Sequence, residues 1–140
     1  MRSKVFLAVL GAGVVIASGR PFAHHAFSSE FDADKPLKLH GTVTKMEWVN
    51  PHAWLHIDVK DPDGKVTSWM IEAAAPNAML RRGFSKNSLP AGTEIIIEGF
   101  QAKDGSNTAS GRNLTFPDGR TLFMGSPGSA QPDDAPAPPR

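Results

Sequence analysis

With 140 residues and no cysteine, the chain is sized for one domain and excludes disulfides, thiolate metal sites and cysteine nucleophiles. Formal charge is +1 over the whole sequence; without Arg2, Lys4 and Arg20 it becomes 12 basic against 14 acidic side chains, a net of −2. That balance excludes the electrostatic footprint of a general nucleic-acid binder.

Residues 1–23 read as a secretory signal peptide: Arg2 and Lys4 form a basic start, residues 5–17 are apolar, and small residues follow. The apolar run is shorter than the roughly 20 residues a membrane span needs. The reading therefore predicts a periplasmic or secreted protein that leaves the membrane on cleavage. Cleavage after Ala23 makes His24 the mature N-terminus; cleavage after Gly19 competes with it.

Residues 24–36 hold Phe27 and Phe31 among polar neighbours without a sustained period, which predicts an arm that docks through its phenylalanines and has room for one helical turn. Leu37, Leu39, Gly41 and Val43 then alternate as a strand, and Met46 and Trp48 continue on the opposite parity. A change of parity inside one β-rich run is what a bulge produces, so this strand is expected to bend at Thr44 or Lys45.

The stretch from Glu47 to Val59 organises the domain. Asn50-Pro51-His52 forms a turn, after which Ala53, Leu55, Ile57 and Val59 fall on one face and Trp54, His56 and Asp58 on the other. Asp61-Pro62-Asp63-Gly64 is a hairpin turn by its chemistry: proline presets φ, aspartate tolerates the bend, and glycine supplies positive φ. If Asp61 faces Lys65, Ile57 meets Trp69 and Leu55 meets Ile71 on the core side. His56 then meets Met70, and Trp54 meets Glu72, on the outer side.

Pro76 and Gly83 bracket a helix of about two turns. Glu94 to Phe100 reads as a buried strand with Ile95 and Ile97 inward. Arg112 to Phe116 and Arg120 to Met124 flank Pro117-Asp118-Gly119, pairing Leu114 with Leu122. From Ser126 onward, five prolines with Gly, Ser, Ala and Asp predict a disordered tail over residues 126–140. The succession of strand, strand, strand, short helix, strand, strand and an edge strand predicts an all-β domain over residues 37–125, a small OB-fold-like barrel of five to six strands with one short helix.

The combination His24-His25-Ala26-Phe27, Glu30-Phe31-Asp32, Gly41-Thr42-Val43, Glu47-Trp48, Asn50-Pro51-His52 and Lys103-Asp104-Gly105-Ser106-Asn107 resembles a family of small exported proteobacterial proteins of unknown function. Such sequences often have serine where this chain has Ala26. The resemblance implies a periplasmic or secreted β-domain and transfers no activity, ligand or functional residue.

In barrels of this kind the outer side of strands two and three commonly receives the ligand, and here it carries Trp54, His56, Met70 and Glu72. The sequence therefore predicts a non-enzymatic binding or interaction domain for a periplasmic protein or a small ligand. The competing reading is a copper-binding protein. A mature chain beginning at His24 could chelate copper through its terminal amine and imidazole, with His25 and one further imidazole, His52 or alternatively His40 or His56, completing the site. No nucleophile arrangement is legible, and nothing in the sequence tunes Glu47, Glu72 or Asp58 into an acid–base pair.

Overall fold

The computed structural model describes residues 23–126. The expected signal peptide, apart from Ala23, and the expected tail beyond Ser126 lie outside the described residues. In chain order the elements are α1 (Ala23–Glu30), β1 (Phe31–Glu47), β2 (Trp54–Lys60), β3 (Val66–Glu72), α2 (Pro76–Arg81), β4 (Glu94–Ala102), β5 (Thr108–Thr115) and β6 (Thr121–Phe123). Among the described residues no helix is long and apolar enough to cross a membrane.

The strands run in the order β3-β2-β1-β4-β5-β6, and an additional pairing of β3 with β5 closes the sheet on itself. All neighbours are antiparallel except this closing pair, which is parallel. Closure through β3 and β5, with α2 between β3 and β4 and with β1 paired on both edges, is the OB-like barrel that the element order predicted. Closing the ring removes most of the unpaired edge that a six-stranded sheet would otherwise expose.

Register follows the turn chemistry. Asp61 N–H bonds to Lys65 carbonyl at 2.8 Å and Gly64 takes φ of 87°, so Leu55 pairs with Ile71, Ile57 with Trp69, His56 with Met70 and Trp54 with Glu72. In β1 the pairing with β2 slips between Val43 and Lys45, the bulge that the parity change foretold. Gly83, with φ of 90°, follows α2 where an L-residue would be strained.

The inner face gathers Val43, Leu55, Ile57, Ile71, Ile95, Ile97 and Leu114 with Met79 and Phe84 from the α2 region and Met124 from the chain's return, all buried. Trp69 is only half-buried, packing on the margin of this core.

The N-terminal segment departs from expectation. Instead of an arm reaching to residue 36, two turns of α1 lead straight into β1, which begins at Phe31 and is 17 residues long. The pairing of β1 with β4 starts at Phe31 and Ala102 and then shifts register before Pro36. Residues 33–36 are exposed, so no buried alternation marks them as strand in the sequence. Phe27 and Phe31 do dock as expected. Their rings lie 5.8 Å apart, and Phe27 also meets Phe100 edge-on at 5.8 Å.

Candidate ligand-binding cleft

The antiparallel ribbon of β2 and β3 does not stop at its strand ends. Ala73 N–H bonds to Ala53 carbonyl at 2.9 Å, and Ala53 N–H bonds to Ala74 carbonyl at 3.2 Å. The alternation of side chains therefore carries back through Ala53, and His52 emerges on the same outer face as Trp54. Across the ribbon, Glu72 lies on the diagonal from His52, within reach of long side chains. His52 Nδ1 sits 2.6 Å from Glu72 Oε1.

The registers of four strand pairs place a single row around the outside of the barrel. Trp54 pairs with Glu72, Glu72 with Ser110, Ser110 with Phe100, and Phe100 with Pro36. On an outer barrel face such a row would ordinarily meet water. Here α1 lies over it, held by the Phe27 contacts and by Lys103, whose ammonium donates to Ser28 carbonyl at 2.6 Å and whose N–H donates to Glu30 carbonyl at 2.9 Å. Glu72 is consequently only 7% exposed, and Ser110 is buried beside it.

Between α1, the Asn50-Pro51-His52 turn and this row lies a cleft of about 340 Å³, lined by Phe27, Glu30, Phe31, His52, Trp54, Glu72 and Ser110 among others. The Asn50–Pro51 peptide is cis. On the far side of Trp54 a second hollow of about 400 Å³ reaches Lys103, Asp104 and Ser106. Both hollows share Glu30, Phe31 and Trp54, so they adjoin at the junction of α1 and β1 and at Trp54. The two flanks are the loops after β1 and after β4, the positions from which OB barrels commonly grip a ligand.

Burial pushes the Glu72 carboxyl above its ordinary pKa, the His52 interaction pulls it back, and the nearby Glu30 charge raises it further. This corrects the expectation that Glu72 lacks a tuning environment. The strand pattern showed its face, but the helix roof that desolvates it comes from residues far away in sequence.

The four residues expected to form one contact surface divide into two groups. Trp54 and Glu72 line the cleft. His56 and Met70 lie one step along the same face: Met70 is 40% exposed, and His56 Nε2 is 3.3 Å from Glu47 Oε1 without hydrogen-bond geometry. A lysine shares that carboxylate, since Lys45 also bridges to Glu47, and these contacts hold Glu47 below the ordinary carboxylate range. His52 joins the cleft through Glu72. His24 and His25 fall in α1, about one turn before Phe27. Among the described residues, no group of three or more His, Asp or Glu side chains is arranged to hold a metal ion. Sequence reasoning missed Glu30 and Ser110 as cleft residues. Ser110 could have been found only through the parallel β3–β5 pairing, which leaves no local pattern.

The model of a family of unknown function, DUF6152, matches residues 12–112. No curated protein and no solved structure matches.

Proposed function

Starting from a chain that belongs to the DUF6152 family, whose function is unknown, we propose that it is a binding domain whose small ligand enters the cleft between α1 and the outer face of β2, β3 and β5. The basic start and apolar run at the N-terminus support a periplasmic or secreted setting for this role. One observation carries the reading: a carboxylate buried on the outside of a barrel, bonded to an imidazole, forms the floor of a cavity that opens to solvent. Burying that charge works against stability, because desolvation of an ion is only partly offset by its partner. The inner core already holds the barrel together, so the pair is not needed to close it.

The cleft has the composition of a ligand site: rings of Phe27, Phe31 and Trp54 form apolar walls, and Glu72, His52 and Ser110 supply a few convergent polar groups. Its volume is at the lower end of the roughly 300–1,000 Å³ typical of small-molecule pockets. Trp54, between the two hollows, offers a stacking surface to either.

A thermal-shift screen of the mature chain against small amines, carboxylates, sugars and copper(II) tests the assignment. Compounds that stabilise the wild type are expected to lose their effect with Trp54→Ala and keep it with Met70→Ala. The reverse pattern would move the site to the exposed end of the β2–β3 face and overturn the cleft.

A further inference from the structure

We propose that the group recognised in this cleft is an organic cation, an alkylammonium or guanidinium carried by a small molecule, seated against the rings of Trp54 and Phe27 and facing the carboxylates of Glu72 and Glu30. This rests on reading the cleft as the binding site and names the chemistry of what fills it.

The walls decide the sign of the charge. Among the described residues the cleft is lined by two carboxylates, Glu30 and Glu72, and by no lysine or arginine. The ammonium of Lys103, beside α1, is tied to Ser28 carbonyl at 2.6 Å, and Lys103 lines the neighbouring hollow instead. An anionic ligand entering here would be desolvated beside two like charges. A neutral ligand could stack on Trp54 but would leave the buried Glu72 charge as poorly compensated as before. A cation supplies what the site lacks: Glu72 has one oxygen on His52, and Glu30 adds a second negative charge close enough to be felt by Glu72.

The walls also decide the kind of cation. A compact metal ion requires three or more ligand atoms converging on one centre, and among the described residues no such group exists. A cavity of about 340 Å³ is far larger than one ion. Aromatic faces attract ammonium and guanidinium groups through the ring quadrupole, most strongly on tryptophan and where water is excluded. Phe27, Phe31 and Trp54 line the same cleft as the two acids, a composition that favours a soft, weakly hydrated cation on a short hydrocarbon stem.

Titration calorimetry on the full mature chain, with n-butylammonium, n-butylguanidinium, n-butanol, butyrate and zinc chloride as probes, tests the assignment. The two organic cations are expected to bind at least about tenfold more tightly than butanol, the gain expected of one partly desolvated charge contact. Glu72→Gln, which keeps shape and removes charge, should weaken them by about the same factor. Glu30→Gln, at an exposed position where folding is not at stake, should weaken them measurably, and Met70→Ala should leave them unchanged. Butanol or butyrate binding as well as the cations, with Trp54→Ala abolishing both, would overturn the cation while leaving the cleft intact. Zinc binding in place of the organic probes would overturn it in favour of a metal site. Failure of every probe to bind would overturn the assignment together with the cleft reading.

Discussion

Glu72 concentrates the tension between stability and binding in one side chain. Its face was readable in the sequence, because the hairpin turn fixes the register and register fixes parity; its burial was not, because the roof is built by Phe27 and Glu30 more than forty positions away. Since the folded state holds the Glu72 proton more tightly than the unfolded chain does, the folded state binds more protons, and stability falls as pH rises through the raised pKa. The contribution is fully present below the ordinary carboxylate value of about 4.3 and is lost above it. Glu72→Gln should abolish that component. Urea unfolding of both proteins from pH 4 to pH 8 is expected to show the variant gaining stability relative to wild type as pH rises; a constant difference would mean that Glu72 ionises freely. Removing its partner acts in the opposite sense. His52→Ala leaves a buried carboxylate without its donor and should cost about 1–3 kcal/mol at neutral pH.

At the level of elements, local chemistry specified what local chemistry can reach. The Asp61 to Gly64 turn, the β1 bulge and the ends of α2 all carry residue types whose backbone preferences select one geometry, and each is found where those residues stand. The start of β1 and the β3–β5 closure depend on partners distant in sequence and carry no such marks. The close crossing of β4 and β5 is another case. Gly99 pairs with Gly111 at a register shift, and a Cβ on Gly99 would stand 2.1 Å from the Ser110 carbonyl oxygen. A Cβ on Gly111 would meet Ile71 Cγ2 at 2.7 Å and Met124 Sδ at 2.9 Å, both on side chains. Backbone in a closed barrel yields less readily than a methionine rotamer. Gly99→Ala should therefore lose about 2–4 kcal/mol or fail to fold, and Gly111→Ala should lose less, about 1–3 kcal/mol. Equilibrium unfolding of the two variants ranks them, and the order Gly111 worse than Gly99 would contradict the barrel register around Ser110.

At the scale of the whole fold, the described residues form two apolar clusters of unequal strength. The inner one joins fifteen buried residues from all around the barrel; the outer one consists chiefly of Phe27, Phe31 and Phe100 beneath α1. A protein whose parts are held by such different amounts of buried surface opens in stages, the weakly held part first. The helix that shields Glu72 and roofs the cleft should thus be able to lift while the barrel stays closed, giving a ligand its way in. Two substitutions separate the clusters. Leu55→Ala removes a fully buried inner side chain and should cost about 2–5 kcal/mol of global stability. Phe27→Ala should leave the barrel's unfolding midpoint nearly unchanged while amides of residues 24–30 exchange faster and Trp54 emission shifts to the red as its cover departs. Hydrogen exchange read residue by residue, beside a denaturant curve, distinguishes the two. If Phe27→Ala instead unfolds the barrel as a unit, α1 is an integral layer of the fold, and the ligand must reach Glu72 past a fixed helix.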